Sequence, residues 1–363
     1  MKKTLLAAAL ASVALAGCVK NEAEIVQNAD SKITFAAPLV SSVTRIQPGE
    51  ISNPYNDKEH FTVFAKFYSD KYNDWESGDW YIGRDNVGID VGYNPSLQGW
   101  APSDGKEYYW PKNGTLTFYA YSPSGYETWN PIITASEQMQ SVAVNIPNKA
   151  ANVDLMYSEL AKDQDHNNNT LGNNIPKPTP GVVGTPEYYG VELMFKHALS
   201  SIHFKVKLSR TYDNATIVLN KIELKEVKSI GNFNWTMVSG VDPVWNPISE
   251  PLNYTVVEGI EHNVTMVDTA ESIAKAKPII LLPQTLTNVT AEITYTINGR
   301  EFTSEIKLAD LNYGANTNAE WKPGKRYIYT ITFSLNTIYF DPTVSDWDNV
   351  EVVYPNPSTS AAA

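Results

Sequence analysis

Apolar and polar residues alternate along much of this chain. From His60 to Tyr68, the residues Phe61, Val63, Ala65 and Phe67 fall on one side. From Ser201 to Leu208 the alternation is cleaner: Ile202, Phe204, Val206 and Leu208 point one way, and His203, Lys205 and Lys207 the other. From Arg326 to Leu335, the residues Tyr327, Tyr329, Ile331, Phe333 and Leu335 share a face. A period of two sustained over eight or so residues predicts β-strands, in sheets with one wet face. Between Glu292 and Phe302, Asn298-Gly299 separates two alternating runs. That dipeptide predicts a hairpin, because a type I′ turn needs positive φ at both central residues. Helical periodicity is scarce. Val153 to Ala161 and Ala270 to Lys275 have room for one or two helical turns each.

The strand signals fall on both sides of one stretch that cannot build a core. Residues 162–186 are polar, rich in Asn and then in Pro and Gly. Such composition buries little and reads as a linker. It separates an N-terminal β-sandwich domain, 46–161, from a C-terminal one, 187–363. The fold class is all-β, and no short-period repeat of the solenoid or propeller kind is evident.

The first residues carry a different pattern. Lys2 and Lys3 precede an apolar run from Thr4 to Ala16, too short to span a bilayer, which needs about 20 residues. Residues 1–17 read as a secretory signal peptide. Cys18 follows it and is the one cysteine of the 363 residues. Leu15-Ala16-Gly17-Cys18 resembles a bacterial lipobox. That resemblance implies cleavage before Cys18 and acylation of its thiol, with further acyl chains giving stable anchoring. An acylated Cys18 leaves no thiol for disulfides, metal sites or catalysis. Without Lys2 and Lys3 the basic residues fall from 28 to 26 against 40 acidic ones, so net charge moves from −12 to −14. That charge repels nucleic acid.

Candidate chemistry is sparse. The chain lacks a His-Glu-x-x-His, a Gly-x-Ser-x-Gly, a Cys-x-x-Cys and a Walker loop. His197 and His203, six residues apart on an extended strand, would lie roughly 20 Å apart, too far to share a metal. They read as part of a polar strand face. Asp163 to Asn169 has ligand-type residues at alternate positions, but Asn168 and Asn174 stand where a calcium loop needs Gly and Glu. No catalytic residue, cofactor or metal site is expected. Trp75, Trp80, Trp100 and Trp110, with Tyr72, Tyr81, Tyr93, Tyr108 and Tyr109, allow two readings. They are a sandwich edge with its covering loops, or an exposed platform for sugar rings.

A series of short motifs, in order, resembles the fimbrillin-like (Mfa-like) proteins. It begins with Lys32-Ile33-Thr34-Phe35, Thr44-Arg45 and the Phe61 to Ala65 strand. Tyr109-Trp110-Pro111-Lys112-Asn113-Gly114 runs on to Ser122-Pro123, and Asp154-Leu155-Met156-Tyr157 follows. The second half adds Phe195 to Ser200, Leu282-Pro283-Gln284, Trp321-Lys322-Pro323-Gly324 and Val344-Ser345-Asp346-Trp347. The resemblance implies two transthyretin-like β-sandwich domains, no catalysis, and export as a lipoprotein to the outer-membrane surface. It implies partnership with other pilin subunits by donor-strand insertion, with a host or glycan ligand for an adhesive member. In that family a trypsin-like protease cuts after an arginine and removes the first strand. Carried onto this chain, the cut falls between Arg45 and Ile46, residues 18–45 form a lipidated leader, and Ile33 to Val40 holds the displaced strand. Val350 to Tyr354 reads either as a mobile donor or as a fixed last strand. The rival reading is a surface glycan-binding lipoprotein that never polymerises.

Overall fold

The structure, a computed structural model, describes residues 32–35, 39–40, 60–68, 79–83, 88–94, 99–124, 129–130, 139–145, 153–165, 190–236, 243–273, 276, 278–313 and 319–347. Among these the chain is all-β, with one short 3-10 turn at Leu308–Asp310 and no α-helix. Neither of the two segments with room for helical turns shows a helix among its described residues. Val153 to Ala161 contains the strand Met156–Ser158, and Ala270 to Lys275 contains Glu271–Ser272. Both are short, and isolated helices of that length have no stability of their own in water.

A nine-stranded sheet forms the first layer. Its central order is Leu39–Val40, Met194–His197, Met156–Ser158, Thr115–Ser122, Phe61–Tyr68, Ile89–Asn94, Gly99–Pro102. Ala161–Gln164 pairs with Thr115–Ser122, so the first residues of the expected linker lie in a strand. A five-stranded sheet is built around Ser200–Leu208 and Lys325–Phe333, which run parallel in register from Ser201 opposite Arg326 to Leu208 opposite Phe333. Leu335 lies past the end of its strand and is exposed. A seven-stranded sheet is built on Ile217–Thr236, whose neighbours include Val244–Val257, Thr290–Ile297 and Met139–Asn145.

The Asn298-Gly299 turn joins Thr290–Ile297 to Arg300–Lys307, with φ of 50° and 79° at its two residues. Gly114 has φ of 85°, and a side chain there would run into the Tyr68 carbonyl, so the turn into Thr115–Ser122 needs glycine on two counts.

One core lies on a single face of the nine-stranded sheet and holds Phe35, Phe61, Val63, Phe118, Trp100, Trp110 and Phe195. The larger core fills the second half of the chain, from Ile202 and Val206 to Tyr329 and Phe333. It also takes in Phe64, Tyr119, Tyr121 and Leu155. The strand Phe61–Tyr68 is therefore buried along its whole length, on both faces, where the alternation predicted one wet face. Phe64 stacks on Tyr119 at 4.9 Å and 7°. The Lys66 ammonium, buried in the same face, sits 5.1 Å above the Trp80 ring. A long stem and a ring partner let a lysine occupy a covered face.

Candidate functional site

The leader segment Lys32 to Phe35 is built into the first core. Ile33 and Phe35, two residues apart on an extended chain, point the same way and are 3% and 0% exposed. The Phe35 ring meets Phe61 and Phe118 edge-on, at 6.0 Å and 88° and at 5.9 Å and 87°. Phe61 in turn meets Phe195 at 5.7 Å and Trp100 at 5.6 Å, and Phe118 meets Trp110 at 5.8 Å. Phe35 thus completes an aromatic cluster, in the edge-to-face arrangement that ring quadrupoles favour.

Backbone bonds fix the leader from both sides. The Ile33 N–H donates to the Tyr108 carbonyl at 2.7 Å and the Phe35 N–H to the Trp100 carbonyl at 3.1 Å. On the other side the Val191 N–H donates to the Thr34 carbonyl at 2.8 Å. Phe35 is bridged antiparallel to Trp100 and parallel to Val191. Farther along, Leu39–Val40 pairs parallel with Met194 and Phe195. At the surface the Lys32 ammonium donates to the Glu107 carboxylate, to which the Tyr109 hydroxyl also donates. The lysine raises its pKa through that bond, and Glu107 is held below its ordinary value by Lys32 and then Tyr109. The pair is open to solvent, so it guides the leader more than it anchors it.

The groove that receives the leader is therefore made by distant parts of the chain. One wall is the 99–110 region, the other is 191–195, and the floor is Phe61 and Phe118. The family resemblance pointed to Ile33 to Val40 but gave no sign of Val191 or Phe195 as neighbours of Ile33 and Phe35. Cys18, Arg45 and Ile46 lie outside the described residues, as does Val350 to Tyr354.

Other candidates resolve differently. Trp100 and Trp110 are 3% and 2% exposed, so their rings serve the core and are closed to a sugar. Trp80 packs on Phe64 and Tyr119. Trp75 and Tyr72 lie outside the described residues. Among the described residues of the set, Tyr93 is the exposed ring, at 36%.

His197 is not on a polar face. It is buried beside Asp154, with Nδ1 2.7 Å from the carboxylate Oδ2, and its ring stacks on Trp347 at 4.3 Å and 7°. His203 does keep to the polar side of its strand. Burial pushes its pKa down to about 3, with the Arg326 and Lys205 charges adding, and its Nε2 lies 2.7 Å from the Ser201 hydroxyl.

His60, Asp90 and Ser103 form a small exposed cluster that superficially suggests a hydrolytic triad. The Asp90 carboxylate lies 2.9 Å from His60 Nδ1, and the Ser103 hydroxyl 3.4 Å from the same nitrogen. A triad needs its serine on the nitrogen opposite the carboxylate. Burial raises the Asp90 pKa, but hydrogen bonds from Ser124, His60 and Ser103 outweigh it and hold the carboxyl low. The cluster is a structural network. No group of three or more potential metal ligands occurs among the described residues.

Comparison with known proteins gives the family and the fold. The profile of the fimbrillin-like family matches residues 44–347. The fold is similar to a fimbrial protein of Bacteroides vulgatus, at 14% identity and a TM-score of 0.53, covering 87% of this chain and 99% of that one. It is also similar to a cell-adhesion candidate of Bacteroides uniformis, at 15% identity and a TM-score of 0.51, covering 87% and 98%. No curated protein matches the chain by sequence.

Proposed function

The chain belongs to the fimbrillin-like family, and on that premise we propose that it is a subunit of a cell-surface pilus, structural or adhesive, that assembles by strand replacement. One observation carries the reading. The leader fills the first core with Ile33 and Phe35, yet only a short stretch of chain separates it from Arg45. Cutting between Arg45 and Ile46 would leave Lys32 to Val40 held by contacts alone.

Loss of the leader has a defined physical result. The Trp100 and Tyr108 carbonyls and the Val191 N–H lose their partners, and a slot opens against Phe61 and Phe118. Unpaired backbone groups beside an apolar slot are a template for another strand. A strand from a second pilin subunit satisfies both. Head-to-tail insertion does not close on itself, so it yields a filament.

On this reading Cys18 carries the lipid that holds the protein at the outer membrane until the leader is removed. The protein has no catalytic role. A non-polymerising glycan-binding lipoprotein is the weaker account, since two of the rings that would form its platform are core residues.

The test is direct. Protein is recovered from cells, its N-terminus sequenced and its intact mass measured, for wild type and Arg45→Ala. Wild type is expected to begin at Ile46 in the polymer, and the variant to remain a lipoprotein monomer that begins at Cys18. Polymer formed equally by Arg45→Ala, still carrying its leader, would refute strand replacement.

A further inference from the structure

Three strands sit in sheets that belong to the opposite half of the chain. Met139–Asn145 precedes the 162–186 segment, yet it pairs with Ile217–Thr236, from Asn145 opposite Ile230 to Met139 opposite Thr236. Trp129–Asn130 extends the same sheet. In the other direction, Met194–His197 follows the segment, yet it pairs with Met156–Ser158 and with Leu39–Val40 in the first sheet.

The exchange depends on one long element. Ile217–Thr236 has 20 residues, about 66 Å of extended chain at the usual rise. Val244–Val257 runs along one of its edges. The other edge takes Thr290–Ile297 over Ile217 to Lys225, and then Met139–Asn145 over Ile230 to Thr236. The strand outgrows its own half and collects a partner from the other.

Side chains fasten the same junction. Asp154 and His197 form the buried pair, and Trp347, at the end of the last described strand, covers the imidazole. The Trp347 N–H donates to the Gly324 carbonyl, the Gly324 N–H to that of Leu199, and the Ala198 N–H to that of Leu155. Phe233 lies 5.1 Å from Tyr157 on one side and 5.0 Å from Trp245 on the other, and the Trp245 indole N–H donates to the Ala198 carbonyl at 2.7 Å.

We propose that the two halves are interlocked partners: each completes its sheet with a strand from the other, and the Asp154–His197–Trp347 stack is the clasp. The connection between halves then does not run through residues 162–186. It runs through two strand ladders and one buried polar stack. A subunit pulled from its ends carries the load across these ladders, and the chain stays one body when it is severed in between.

The experiment severs it. A recognition sequence for a site-specific protease is inserted between Asn173 and Asn174 of the full chain, and the folded protein is cut to completion. The pieces are run through gel filtration at about 100 nM, well above the nanomolar dissociation constants of tight interfaces. They are expected to co-elute at the size of the uncut chain and to unfold in urea in a single shared transition. Separation of the pieces at that concentration overturns the interlock. In the cut chain, His197→Ala with Trp347→Ala is expected to raise the dissociation constant about 100-fold, the scale for breaking a buried pair. Equal retention of variant and wild type overturns the role of the clasp.

Discussion

Phe35→Ala offers the sharpest test of how the leader is held. The side chain is fully buried and touches two rings edge-on, Phe61 and Phe118, with no room for solvent. Removing a phenylalanine from such a site costs about 3–5 kcal/mol if the surroundings do not collapse. The leader can respond in a way that a central strand cannot. It is joined through the Ile33, Phe35 and Val191 N–H bonds, so it can leave the groove while the rest of the protein stays folded. The penalty then appears as local opening, not as global unfolding. At 1.4 kcal/mol for each factor of ten, the opening equilibrium rises by about 10²–10⁴-fold, until the leader is out most of the time. Amide hydrogen exchange followed by mass spectrometry reads this directly. The Ile33 and Phe35 amides are expected to exchange faster together, because one strand carries both. Amides of the long strand near Ile222 and Leu224 should move by less than about threefold, since they open only with the second core. Thr34→Ala, on the other side of the leader, should cost under about 1 kcal/mol and serves as the control. If Phe35→Ala leaves exchange at Ile33 unchanged, or speeds Ile222 as much as Ile33, the leader is not a separable strand.

Two further outcomes are expected. Cys18→Ala should remove the acyl acceptor, so the protein should be lost from washed membranes into the soluble fraction; retention equal to wild type would contradict the lipobox reading. His203 should make the protein acid-sensitive. Its folded pKa of about 3 lies below the ordinary 6.5, so the unfolded chain binds the extra proton first and stability falls as pH drops through 6.5 towards 3. The loss at pH 5 is about 2 kcal/mol relative to neutral pH. His203→Gln should flatten that part of the urea-midpoint profile between pH 7 and 5, and identical profiles for the two proteins would exclude this origin.

Local rules made part of this fold legible from residues alone. The alternation in Ser201 to Leu208 gave the strand and its inward face, and the structure keeps Ile202, Phe204, Val206 and Leu208 buried. Asn298-Gly299 gave the hairpin, because positive φ is a property of the two residues themselves. The family resemblance pointed to Ile33 to Val40 as the leader strand, and spacing two residues apart puts Ile33 and Phe35 on one face, where the structure buries both. Each of these is fixed by backbone geometry within a few residues.

Partners are set otherwise, and only the tertiary structure decided them. Period two says that a strand has two faces but not what covers each. Phe61–Tyr68 looked half-wet, and Phe64 and Lys66 became buried because the second core reaches that side. The composition of 162–186 sets an expectation of a linker, but it carries no information on which strands pair across it. Met139–Asn145 and Met194–His197 crossed over because hydrogen-bonding edges were open in the opposite half. His197 looked like a polar surface residue until Asp154 and Trp347, 43 residues before it and 150 after it in the sequence, closed around it. Strand pairing and burial are long-range, and their free energy belongs to contacts the chain makes only once it has folded.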